Sequence, residues 1–260
     1  MSFIFWQSLK TAEFAEIDKK DTVIIYPLAA IEQHGPHLPI STDFDIMQAM
    51  LSHYKRHFSS NYDVISLPIQ QIGYSVEHSK YAGSLSLSPD LLYQICKSIS
   101  EQVIAYGFNK IIFMSSHGGN SEVAALLSRQ LRCEFGILTA STNWLRFLQN
   151  YQPKPMDDNN LPFEHDIHGG FAETSLMLYF YEHLVTKENI DAFEINDALI
   201  KQRGVSISRP MPIGWAIEDL NEKGVVGRAD LANKNFGLQI ADHIIDEFTN
   251  FIDHFQNSNI

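Results

Sequence analysis

Thr22-Val23-Ile24-Ile25-Tyr26-Pro27-Leu28-Ala29-Ala30, followed after Ile31 by the polar loop Glu32-Gln33-His34-Gly35-Pro36-His37, is the stretch on which the fold turns. The run is short, continuous and apolar. A strand with one wet face alternates apolar and polar residues, so an unbroken run of this length suits a strand buried on both faces. Downstream, Thr42 with Asp45 three positions later has the form of a capping box, and Met47, Met50, Leu51, Tyr54 and Phe58 recur on one face at helical spacing. The unit is strand, polar loop, helix.

The same unit returns along the chain. Val64 to Ile69 is a predicted strand, Ser88-Pro89-Asp90 opens a helix that runs to about Tyr106, and Lys110 to Ser116 holds the strand Ile111-Ile112-Phe113-Met114. A helix then begins near Asn120, and Phe135 to Ala140 is a further apolar strand. Gln152 to Pro162 is rich in Pro, Asn and Asp and is expected to be a loop at the edge of a site rather than a domain linker. A helix over Ala172 to Leu184 and a long amphipathic helix over Ala229 to Phe255 complete the pattern. Strands alternating with helices at this spacing predict one α/β domain over residues 1–260, with a mainly parallel sheet covered by helices on both faces. In such sheets ligands bind at the carboxyl ends of the strands.

Composition narrows the function. With 260 residues of which 45% are hydrophobic, the chain can bury a substantial core. A formal net charge of −12 and a pI near 5.3 argue against nucleic acid or another polyanion as partner, because phosphate binding requires a basic stripe. Cys96 and Cys133 fit neither a disulfide framework nor a thiolate metal motif, which points to a reducing cytoplasm. The apolar start Met1 to Trp6 is too short for a signal segment, and no apolar run approaches the length of a membrane span, so no membrane role is expected.

Three polar clusters carry chemistry. Glu32-Gln33-His34-Gly35-Pro36-His37, with Thr42 and Asp43 beyond it, offers oxygen and imidazole ligands directly after the first strand. Taken alone, it could also be a solvated loop. Ser115-Ser116-His117-Gly118-Gly119-Asn120 follows a buried strand and opens a helix, where glycines let backbone approach a ligand and free N–H groups face a developing oxyanion. A tight turn with Asn120 as N-cap explains the same residues. His168-Gly169-Gly170-Phe171-Ala172-Glu173-Thr174-Ser175 places Glu173 in the first turn of a helix, a position that favours a carboxylate for capping alone. The repetition of a glycine-flanked histidine at three element ends argues for one shared site.

In this order and spacing, E-Q-H-G-P-H-L-P followed by T-D, then H-G-G-N, then H-x-G-x-x-E-T-S resemble the signature of the creatininase family. The resemblance runs from about Trp6 to Gly237 and includes Tyr81-Ala82-Gly83-Ser84-Leu85 and Gly224-Val225-Val226-Gly227. It implies a three-layer α/β/α fold and a centre of two divalent ions (Zn²⁺, Mn²⁺ or Fe²⁺). Asp43 would bridge the ions, Glu32 and His117 would hold one, and His34 the other. Creatininase itself has H-Y-E-N where this chain has His117-Gly118-Gly119-Asn120, so the missing carboxylate is assigned to Glu173 and creatinine is disfavoured as substrate. The implied activity is hydrolysis of a C–N amide bond in a small molecule, such as a cyclic amide or a formamide. Relatives that trim a modified peptide supply one alternative, and a silent binding or assembly protein another. The resemblance further implies a homo-oligomer, often a hexamer.

Within that mechanism His168 is the expected general acid for the leaving nitrogen, with Glu173 in that role if it is not a ligand. The N–H groups of Gly118 and Gly119 are expected to assist at the oxyanion. His78 and His37 either orient a ligand, contact substrate or are structural. Glu77 is expected to be structural or at the pocket mouth, and Trp144 and Trp215 to pack in the core or else line a pocket. His53, His57, His183, His243 and His254 need no function.

Overall fold

Every second residue of the central strand points into a different hydrophobic core, which is why the run that begins at Thr22 is apolar throughout. In the computed structural model, which describes residues 1–149, 151, 153–154, 163, 165–196 and 213–258, strand β2 covers Val23–Leu28 and is buried along its whole length. Val23 and Ile25 pack into one core, whereas Ile24, Tyr26 and Leu28 pack into the other. Its neighbour β4 (Lys110–Ser115) divides in the same way, Ile112 and Met114 against Ile111 and Phe113. At about 1.5–3 kcal/mol for each fully buried aliphatic side chain, these two strands anchor both layers.

The remaining strands are β1 (Phe3–Phe5), β3 (Val64–Ser66) and β5 (Leu138–Asn143), and the sheet order is β1-β3-β2-β4-β5 with every pairing parallel. One face is covered by α1 (Thr42–Arg56), α4 (Phe171–Phe180) and the terminal helix α6 (Lys234–Gln256). The other is covered by α2 (Pro89–Ala105) and α3 (Ser121–Phe135). A single short turn, α5 (Ile217–Leu220), belongs to a small separate cluster with Ile195 and Val226. This is the expected α/β architecture with a parallel sheet between two helical layers. From β2 the chain turns into α1 on one face, while from the adjacent β4 it turns into α3 on the other. The crevice left between the two departing loops is the place where such sheets bind ligands.

The element boundaries differ from expectation for identifiable reasons. The predicted strand at Phe135 to Ala140 starts later, because α3 continues to Phe135 and is closed by Gly136 at φ +69°, a left-handed conformation natural to glycine at a helix end. The helix expected from Ala229 begins at Lys234. Asn233 caps it by accepting from the N–H groups of Asn235 and Phe236, and Ala229–Leu231 forms a separate 3₁₀ turn. Helix α4 ends at Phe180, with Glu182–Leu184 in a 3₁₀ turn. Strand β3 stops at Ser66, short of the expected Ile69. The capping box at Thr42 and Asp45 does not form: Thr42 Oγ1 donates to the Pro39 carbonyl, and Asp45 accepts from the Ser41 hydroxyl at 2.7 Å. The edge strand β1 was not expected. Most of the loop at Gln152 to Pro162 lies outside the described residues. Among the described residues no helix is long and apolar enough to cross a membrane.

Candidate metal centre

The crevice gathers all three polar clusters. The loop after β2 contributes Glu32 and His34, the first turn of α1 contributes Asp43, the loop after β4 contributes His117, and the start of α4 contributes Glu173. His168 joins them from a segment held to the chain near the C-terminus by backbone bonds between His168 and Val226 in both directions. All six side chains are buried. Three groups of these residues present ligand atoms within 4.8 Å of one another: Glu32, Asp43 and His117; His34, Asp43 and Glu173; and Glu32, His34 and His168.

Asp43 faces two ways. Its Oδ1 lies 3.7 Å from His34 Nε2, while Oδ2 lies 3.6 Å from His117 Nδ1. Each histidine is locked in one tautomer by a backbone carbonyl. His34 Nδ1–H donates to Glu32 O at 3.0 Å, His117 Nε2–H to Tyr74 O at 2.7 Å, and His168 Nε2–H to Gln33 O at 2.7 Å. The opposite nitrogen of each ring therefore offers its lone pair to the centre, the arrangement found for histidines that bind metal. Both oxygens of Glu32, Oδ2 of Asp43 and Nε2 of His34 are buried without a hydrogen bond. Glu32 Oε1 sits 3.0 Å from His117 Nδ1, two acceptors face to face that only a proton or a cation can reconcile. The donor set and these orphaned atoms fit first-row divalent ions.

The electrostatics make the same demand. Burial and the neighbouring Glu32 charge push Asp43 well above the usual carboxylate range, and burial raises Glu173 to about 8 against the Gly169 N–H bond that opposes it. Burial also works against a charged Glu32, but His117, His78 and His168 outweigh it and hold that carboxyl well below its usual range. Burial likewise resists charge on His117, yet Glu32, Asp43 and Glu77 overcome it and raise the ring to about 10. His34 is held well below its usual value by burial. Three buried carboxylates sharing one crevice are stable as anions only beside positive charge.

Of the other expected residues, His78 accepts from Gln33 Nε2–H at Nδ1 (2.8 Å), which leaves its Nε2–H directed at Glu32 Oε1, 3.4 Å away. Gly118, Gly119, Glu77 and Trp215 line a cleft of about 900 Å³ that opens from the centre, and His78 and His168 also reach its wall. Trp144 is in the core, with Nε1–H on Met47 Sδ. Asn120 does not cap α3; its amide accepts from Tyr74 N–H at 3.0 Å and donates to Ala29 O at 3.1 Å, bracing two of the site's loops. His53 ties α1 to Asp242 of α6.

Sequence reasoning missed Gln33 and Asp166. Gln33 sits inside the first motif, but its task of fixing the His78 ring depends on a residue 45 positions away. Asp166 accepts from the N–H groups of Phe171 and Ala172 at 2.6 and 3.0 Å, and burial raises its carboxyl to about 7. A D-x-H spacing ahead of the third cluster was the available signal.

His37 is structural. Its Nε2–H donates to Thr174 Oγ1 at 2.9 Å, stacked on Phe193, and burial lowers it from the usual 6.5 to about 4. Because the folded value is the lower one, the unfolded chain takes up this proton first as acid is added. The stability that neutral His37 contributes is complete above about pH 6.5 and lost as pH falls through about 4, a change of roughly 3 kcal/mol. Urea unfolding at a series of pH values is expected to show this loss in the natural chain and a flatter profile in His37→Gln; identical profiles would place the acid sensitivity elsewhere.

Comparison with known proteins adds an independent line. A family model described as Creatininase: Creatinine amidohydrolase matches residues 7–252. The mycofactocin precursor peptide peptidase of Mycolicibacterium smegmatis is 23% identical, covering 97% of this chain and 93% of that protein. The creatinine amidohydrolase of Pseudomonas putida is 26% identical over 68% of this chain and 71% of its own length. A solved structure named Creatininase Mn shares the fold, with a TM-score of 0.75 and 21% identity, covering 99% of this chain and 100% of that one.

Proposed function

Since the chain belongs to the creatininase family of hydrolases, we propose that it is a metal-dependent hydrolase that cleaves a C–N amide bond, with two divalent ions (Zn²⁺, Mn²⁺ or Fe²⁺) shared through Asp43. The observation that carries this reading is the pair of Asp43 oxygens aimed at His34 and His117 at 3.7 and 3.6 Å. Glu32 and His117 would hold one ion with Asp43; His34 and Glu173 would hold the other. Two divalent ions, when bound, make water nucleophilic near neutral pH and stabilise negative charge on a carbonyl oxygen.

The chain's own residues do the rest. His78 keeps Glu32 oriented. The N–H groups of Gly118 and Gly119, on the cleft wall, assist at the developing oxyanion. His168, fixed through Nε2–H by the Gln33 carbonyl, turns its Nδ1 lone pair inward, 3.6 Å from Glu32 Oε1; there it takes the proton of the attacking water and passes it to the leaving nitrogen. His168→Ala is expected to retain both ions and lose about 10²- to 10⁴-fold in kcat. Loss of an ion would make His168 a ligand instead. If Glu173 were the acid, Glu173→Gln would leave the ion content intact.

A small cyclic amide or formamide is the first substrate class, with creatinine disfavoured by Gly118 and Gly119. The end of a peptide is the second, favoured by a cleft of about 900 Å³, far larger than a small ring needs, and by the peptidase relatives. A cytoplasmic homo-oligomer of one-domain subunits belongs to the same proposal. Elemental analysis of protein purified without chelator, followed by a screen of cyclic amides, formamides and short peptides, tests the reading. About two ions per chain are expected; none after addition of zinc, manganese or iron would leave a silent binding protein as the function.

A further inference from the structure

Glu173 occupies the first turn of α4, where a carboxylate ordinarily folds back onto the helix's own free N–H groups. Here two of those groups are already taken. Phe171 N–H and Ala172 N–H donate to the two oxygens of Asp166 at 2.6 and 3.0 Å. Glu173 makes one backbone contact outside the helix, Oε2 accepting from Gly169 N–H at 2.7 Å, and its carboxylate faces His34 Nε2 at 3.8 Å. Room for Asp166 is built in: a Cβ at Gly170 would overlap Asp166 Oδ1, and one at Gly227 would lie 2.5 Å from the same atom.

We propose that Asp166 is a positioning residue that caps α4 in place of Glu173 and so leaves the Glu173 carboxylate free for the ion it shares with His34 and Asp43. The inference rests on the metal reading above. Without Asp166, two N–H groups of the first turn lose their acceptor, and Glu173, a carboxylate in the same turn, is able to replace it. Capping and metal binding then compete for one side chain. Asp166 acts only through Glu173, so its effect must fall on one ion and vanish when Glu173 can no longer serve.

Zinc titration of the metal-depleted full chain, with elemental analysis, tests this in the natural protein, Asp166→Ala, Asp166→Asn and Asp166→Ala combined with Glu173→Gln. Asp166→Ala is expected to weaken one of the two ions about 10- to 100-fold, the usual effect of losing a residue that orients a ligand. The other ion should change less than about threefold. Asp166→Asn, which keeps an acceptor oxygen, should recover most of the lost affinity, and it carries the test if the alanine variant does not fold. In the Glu173→Gln background the further change should be less than about twofold, because the coupled route is already gone. Equal weakening of both ions, unchanged affinity, or full additivity in the double variant would overturn the proposal while leaving the metal reading intact. A natural chain that takes up no zinc would overturn both.

Discussion

Replacing Asp43 with alanine is expected to remove both ions from the centre. The carboxylate stands between His34 and His117, one oxygen toward each, and so joins the two halves of the site. Metal content should fall from about two ions per chain to well below one, and amide hydrolysis by about 10³-fold or more, since the ions supply several kcal/mol of transition-state stabilisation. Stability discriminates this from simple misfolding. In chelator, Asp43 is a carboxyl pushed well above its usual range by burial and by Glu32, so its removal relieves the cost of burying it there. Losing a favourable charge at the start of α1 costs only about 0.3–1 kcal/mol. The metal-depleted variant should therefore unfold at the same temperature as the metal-depleted natural chain or slightly above it. A variant that keeps both ions would refute the bridging role.

The second large effect is expected at Gly119. Creatininase has a glutamate at this place in the motif, and introducing it here should weaken the centre. A Cβ on Gly119 would collide with His117 Nε2 and the Tyr74 carbonyl and would lie 2.8 Å from Glu77 Oε1. The first two are the partners of the bond that sets the His117 tautomer. Any side chain at 119 must break that bond or move the loop. Gly119→Glu is expected to lower metal affinity about 10- to 100-fold and to destabilise the fold by about 1–3 kcal/mol through overpacking. Gly119→Ala should show the same effects in milder form, which separates steric collision from added charge. A Gly119→Glu chain with two tightly held ions would mean that position 119 and Glu173 are interchangeable, against the geometry of the loop.

The site was legible to different depths in its different parts. Glu32, His34, Asp43 and His117 lie beside strand ends or a helix start, and their residue types alone suggest ligands. His78 was ambiguous because a histidine in a loop has many uses, and only its bond to Gln33 shows which nitrogen faces Glu32. The alternative that makes Asn120 a cap rests on local propensity, whereas its amide is claimed by Tyr74 and Ala29 from other loops. The start of β5 and the start of α6 were displaced by a glycine end and an asparagine cap that hydrophobic periodicity does not register.

Sequence by itself determined the architecture and the chemistry on offer. Continuous apolar strands require cover on both faces, helices must follow them, and carboxylates and histidines collect where strands end. The tertiary structure alone decided which lone pair each imidazole turns inward, that the two Asp43 oxygens face His34 and His117, and why position 119 has no room for a side chain. Tautomer, steric room and capping competition are set by backbone groups brought together from distant positions, Tyr74 on His117, Gln33 on His168 and Asp166 on α4, and no local pattern of residue types encodes them.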